Sequence, residues 1–174
     1  MPSKSIQGSI VLGQALDWQA QHDEATQHLE RAARRNPSFA GASTARAYHC
    51  VMTGAFAEAT DLMQTAIRLR VGDNGLGLCL PAKALAELHT EDIESALQTA
   101  HWAARLKPDF WLVRQVLAAA LLAAGEKEAA RDAVARMCQD YEGLSGEEFA
   151  AWFPYSSTDI PSPIADTFSY FGWQ

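Results

Sequence analysis

Five histidines, three cysteines and two acidic pairs are the residue types in this chain with the widest chemical range. His22, His28, His49, His89 and His101 fall on amphipathic stretches without H-E-x-x-H or any other paired spacing that holds a metal. Each therefore reads as a surface or hairpin-packing side chain rather than a ligand. Cys50, Cys79 and Cys138 form an odd set with no C-x-x-C pair. That pattern suits reduced, partly buried thiols better than a disulfide framework or a zinc site. The acidic pairs of EDIE (91–94) and GEKE (125–128) lie where helices should begin, and acids there are stabilised by the helix dipole. The sequence contains no phosphate-binding loop, no G-x-G-x-x-G and no G-x-S-x-G. No catalytic residue, metal or cofactor is expected. The chain reads as a binder, not an enzyme.

Bulk properties agree. A formal charge of −7 over 174 residues argues against nucleic acid as the main partner, because phosphate backbones are held largely by Lys and Arg. A hydrophobic content of 48% is that of an ordinary folded protein. No apolar run approaches the length of a membrane span, and MPSKSIQGSI has no apolar signal core. A cytoplasmic chain without membrane contact is expected.

The elements that position these residues show in an internal repeat. Four segments read HDEATQHLERAARRNP, GAFAEATDLMQTAIRL, EDIESALQTAHWAARLKP and GEKEAARDAVARMC. Their marker alanines, Ala25, Ala59, Ala96 and Ala130, are separated by 34, 37 and 34 residues. Seven positions after each marker come Ala32, Ala66, Ala103 and Met137, and twelve before come Gly13, Ala47, Ala84 and Ala118. Small residues in this phase let two antiparallel helices approach closely. The array should cover residues 6–142 as four helix hairpins, at about 6–38, 40–73, 77–109 and 111–142. Gly54 and Gly125 should end first helices, Thr90 should cap a second helix ahead of Glu91 and Asp92, and Pro81 should place a helix start near residue 79 or 80. Arg34, Arg68 and Arg105 recur late in second helices, where a cation meets the negative end of the dipole.

The pattern resembles the tetratricopeptide repeat family. Leu12-Gly13, Ala25, Ala32 and Pro37 carry the likeness in the first repeat, and Gly54, Phe56, Ala59 and Ala66 in the second, where Val71 replaces the closing proline. Ile93, Ala96, Ala103 and Pro108 carry it in the third, and Leu117-Ala118, Gly125, Ala130 and Met137 in the fourth. The phrases HLERAARRNPSFA and RLKPDFWLVRQVLAAALLAAGEKEAARDAVARM, with an FPY-containing tail, look like a narrower group. That group is the array found behind bacterial class III nucleotidyl cyclase domains and some winged-helix transcriptional activators. The resemblance implies an all-α superhelix whose first helices line a concave groove. By repeat phase the lining should be Ile10, Gln14, Asp17, Thr44, Tyr48, Leu78, Leu85, Leu112, Gln115 and Ala119. The Lys, Asn and Arg with which some members grip a peptide carboxylate are missing, so that clamp is not carried over. An apolar groove either recruits a partner helix or is filled by the chain itself.

Residues 143–174 differ in character, with three prolines and eight aromatics. Ser145 and Glu148 form a capping box before a short helix at about 146–153, and a second helix should run from about 163 to 171. The tail should cap the array through Phe149, Trp152, Phe153, Phe168, Phe171 and Trp173, with FAAWF against Val134 and Met137 of the last hairpin. Use of those aromatics to bind a partner is the competing reading. The expected function is a protein-interaction scaffold or regulatory module that binds a peptide or helix. A homodimerisation module, or the regulatory segment of a nucleotidyl cyclase or transcriptional regulator, is the alternative.

Overall fold

The computed structural model describes residues 4–69 and 75–173. Val71 and most of the approach to the third repeat lie outside them. The described residues form ten α-helices and no strand. In order these are α1 (Lys4–Trp18), α2 (His22–Arg35), α3 (Ala40–Met52), α4 (Phe56–Leu69), α5 (Leu80–His89), α6 (Ile93–Leu106), α7 (Trp111–Ala123), α8 (Lys127–Asp140), α9 (Gly146–Ala150) and α10 (Pro163–Tyr170). A single 3-10 turn, Leu76–Leu78, precedes α5. None of the helices is long and apolar enough to cross a membrane.

Short links pair α1 with α2, α3 with α4, α5 with α6 and α7 with α8, and each pair packs along its length. The odd-numbered helices also touch one another in sequence from α1 to α7, and the even-numbered ones have no comparable contacts among themselves. α1, α3, α5 and α7 therefore form an inner layer and α2, α4, α6 and α8 an outer one. The inner layer curves strongly enough to bring Trp18, at the end of α1, within 5.8 Å (ring centroids) of Trp111, at the start of α7.

Small residues set the spacing within each pair. Ala25, Ala59, Ala96 and Ala130 are fully buried, as are Ala47, Ala84 and Ala118 opposite them. At Gly13 an added Cβ would lie 2.7 Å from Leu29 Cδ2, closer than side chains tolerate. A leucine at Ala59 or Ala96 should overpack this seam and cost about 1–3 kcal/mol. Chemical denaturation of Ala96→Leu reads the cost directly, and an unchanged midpoint would show that the seam has slack.

Turn chemistry sets the helix boundaries. Gly54 (φ 85°) and Gly125 (φ 80°) stop α3 and α7 in the left-handed conformation that glycine adopts without strain. Thr90 is not a helix N-cap. It closes α5, its hydroxyl donating to the Ala86 carbonyl, and Glu91 takes the turn at φ 59°. Asp92 caps α6 by accepting from the Ser95 N–H, because two residues are needed to reverse the chain between the helices. α9 stops at Ala150 instead of reaching 153. Pro154 disfavours the α conformation at Phe153, so the chain tightens into turns in which Trp152 and Phe153 donate to the Phe149 and Ala150 carbonyls.

Candidate functional site

The tail crosses the inner layer. The Ser145–Glu148 capping box starts α9 with both reciprocal hydrogen bonds in place, and these backbone and hydroxyl donors hold the Glu148 carboxyl below its ordinary range. α9 lies against α7, where the buried Gln115 side chain donates to the Phe149 carbonyl at 2.8 Å. Phe149, fully buried, sits among Tyr141, Phe168 and Trp173, in the same apolar cluster as Val134 and Met137. Phe153 then packs against Trp18 of α1 and Tyr48 of α3. Tyr155 meets His89 at the end of α5, and the Ser156 N–H donates to the Met52 carbonyl at the end of α3. That carbonyl is one of those a helix C-terminus leaves without an internal donor. Ile160 lies over Gly54, and α10 returns to pack on α7 and α9.

This route divides the groove expected from repeat phase. Leu85, Leu112, Gln115 and Ala119 are buried, Gln115 against the tail, and Leu85, Leu112 and Ala119 belong to the same apolar cluster as Phe149 and Phe168. Asp17 faces neither groove nor solvent: its carboxylate is turned to His22 and His49. Ile10, Gln14, Thr44, Tyr48 and Leu78 do come together, with Trp18 and Phe110, around an open pocket of about 520 Å³. Phe110 at the N-terminus of α7 closes the pocket across the curve, a contact that a linear repeat phase does not reveal.

The pocket is apolar and fixed. Tyr48 donates to the Leu78 carbonyl at 2.7 Å, tying α3 to the turn before α5. Burial, and then the neighbouring Cys79, push the Tyr48 phenol well above its ordinary range, so it remains a donor. Cys79 in turn lies 3.2 Å from the Thr44 hydroxyl, and Cys50 is held protonated chiefly by burial, with its pKa raised to about 12. The Cys50 thiol is not a nucleophile in this state.

Of the six tail residues expected to cap the array, Phe149, Phe153 and Phe168 are buried, whereas Trp152 is 39% exposed. Trp152 still touches Trp111 and Tyr141. Trp173 donates its indole N–H to the Leu144 carbonyl, and Phe171 lies under Arg131 of α8. A second cavity, of about 890 Å³, lies inside the bend of the tail and is lined by tail residues alone. Its polar lining consists of two carboxylates, Glu147 and Asp166, and the hydroxyls of tyrosine, serine and threonine, with no histidine, cysteine or lysine among the lining residues.

No family model matches this chain, and no curated protein matches it.

Two features of the structure were not visible in the sequence. His89 stacks on Phe56 at 3.9 Å between centroids and shares a 3.0 Å hydrogen bond with the Tyr155 hydroxyl. Burial lowers its pKa from 6.5 to about 4, so the folded protein holds the neutral ring. The unfolded chain takes up this proton below about pH 6.5, the folded chain only near the lower value. The contribution of His89 to stability is therefore whole above the unfolded pKa and declines as the pH falls toward the folded one. Thermal midpoints followed from about pH 7 to pH 4.5 should fall less steeply in His89→Gln than in the parent protein. Parallel slopes would remove His89 from the acid sensitivity. The second feature is the gathering of His22 and His49 about Asp17, whose spacing in the chain resembles no ligand motif. Residues 17, 22 and 49 meet only because α3 packs across the α1–α2 link.

Proposed function

We propose that this chain is a non-enzymatic protein-interaction module, a superhelix of four tetratricopeptide-like hairpins whose inner face binds an aromatic-bearing or amphipathic segment of a partner protein. One observation carries the reading: the chain's own tail occupies the adjoining half of that face. Phe153 packs against both Trp18 and Tyr48, which also touch each other, and the surface continues from there into the open pocket along Ile10, Thr44 and Leu78. A face that accepts one aromatic segment by apolar contact and a few main-chain hydrogen bonds has the chemistry to accept another. The buried alanine seam and the four hairpins support the tetratricopeptide character. By the resemblance to arrays behind class III nucleotidyl cyclase domains, the partner would be a regulatory one.

A synthetic peptide with the sequence of residues 146–155 supplies a probe of the right composition. Titrated into the full chain, it should bind saturably, and Leu78→Asp at the pocket rim should abolish that binding. If the peptide binds only after the tail is deleted, the face serves the tail alone and the proposal fails.

The exposed apolar side chains at the rim, Val11 at 66% and Leu78 at 44%, favour a second reading, in which the occupant is another copy of the chain. Light scattering across concentrations separates the two. A dimer abolished by Val11→Asp would make the module homotypic.

A further inference from the structure

We propose that Asp17, His22 and His49 form a site for a divalent transition-metal ion of the zinc class, which pins the first helix hairpin to the second. The donors come from three helices: Asp17 near the end of α1, His22 at the start of α2 and His49 in the last turn of α3. Asp17 Oδ1 lies 3.0 Å from His22 Nδ1 and 2.8 Å from His49 Nδ1, and one ligand atom from each of the three residues falls within 4.8 Å of the others. Ligands at about 2.0–2.2 Å from a tetrahedral ion stand roughly 3.3–3.6 Å apart, so the two Asp17 distances lengthen by about half an ångström when an ion enters, and the histidine nitrogens already lie within 4.8 Å of each other. Two imidazoles and one carboxylate, with a fourth position for water, suit zinc and its neighbours.

An unmet polar atom points the same way. Asp17 is 2% exposed, and its Oδ2 is buried without a hydrogen-bond partner. A buried carboxylate with one oxygen unsatisfied is costly unless a cation compensates it. The surrounding hydrogen bonds are also ordered for a metal on Nδ1. His49 Nε2 lies 3.0 Å from Thr26 Oγ1, and that hydroxyl donates to the His22 carbonyl at 3.0 Å. With the ion on Nδ1, His49 carries its proton on Nε2 and donates it to Thr26, whose own hydrogen is already committed. A ligating histidine is oriented by such an outer partner. A neutral His49 protonated on Nδ1 instead leaves the single Thr26 hydrogen facing two acceptors. An imidazolium at His49 satisfies both bonds without a metal, and is the arrangement to be separated by experiment.

The ion would fix α1 against α3, the two helices that supply Ile10, Gln14 and Trp18 and, opposite them, Thr44 and Tyr48 to the open pocket. This inference stands whether or not the pocket binds a partner.

Cobalt(II) is the probe, added to the full chain. One equivalent should saturate a visible d–d absorption of low coordination number, and zinc(II) should displace it and raise the thermal midpoint. His22→Gln and His49→Gln should each lose both signals. His28→Gln, which touches none of the three, should keep them. The wild-type titration stands even if a variant folds poorly. Absence of a saturable cobalt spectrum in the wild type, or its survival in the His22→Gln/His49→Gln double variant, would overturn the site.

Discussion

Replacing Phe149 by alanine is expected to lower stability by about 3–5 kcal/mol, the range for emptying a large aromatic site in a packed core. The ring is fully buried and touches four other aromatics, Tyr141, Trp152, Phe168 and Trp173. Its site has little freedom to collapse, because α9 is held by the Gln115 hydrogen bond on one side and α10 is pressed against it on the other. At Gly146 an added Cβ would meet the Trp173 carbonyl oxygen at 2.2 Å, a measure of how tightly the two ends of the tail are packed. Removing residues 143–174 should have the larger effect. It uncovers the part of α5 and α7 on which Phe149, Ile164 and Phe168 rest, and trades the Gln115 hydrogen bond to Phe149 for one to water. The truncated chain should melt at a lower temperature and bind an apolar dye. An unchanged midpoint with no dye binding would mean that the tail is not a cap.

The second large effect should come from Lys83→Met. Lys83 pairs with Glu87 one turn along α5 and also donates to Thr99 of α6 at 3.2 Å. Glu87 is 5% exposed, and its second oxygen already lacks a partner. Removing the ammonium leaves a buried carboxylate without compensation, which costs about 3–5 kcal/mol in comparable pairs. Lys83→Met with Glu87→Leu removes both charges, and should recover most of that loss or exceed the parent in stability. Urea unfolding of the two variants gives the comparison. A single variant that costs less than about 1 kcal/mol would show that water reaches Glu87 in the native state.

The hairpins were legible because their signals are local. Alanines at a fixed phase, Gly54 and Gly125 at the turns, and the Ser145–Glu148 box are each written within a few residues of the structure they specify. Thr90 misled because Thr, Glu and Asp all favour helix starts, and only the geometry of the reversal shows which of them is the cap. The site was legible in part. Ile10, Gln14, Thr44, Tyr48 and Leu78 share a pocket as their phase implies, but phase alone does not record that Leu85, Leu112, Gln115 and Ala119 are buried together with a later segment. Curvature is not written in any single repeat either, so Phe110 and Trp111 meeting α1 had no signal. The convergence of His22 and His49 on Asp17 has no signal in the chain, because the three side chains come from three helices and no local spacing records how those helices pack.

The path of the tail bears on how the molecule comes apart. A row of hairpins that touch only their neighbours can open from either end, one unit at a time, with protection against hydrogen exchange graded along the chain. Here Phe153 is lodged against Trp18 of the first helix, and the Ser156 N–H is bonded to the end of the third. The last thirty or so residues are therefore spliced to the opening segment, as a hoop closes a barrel. Loss of the first hairpin exposes Phe153, and loss of the tail uncovers every inner helix. Amides in α1 and α7 should accordingly exchange at similar rates, through one shared opening of the whole fold.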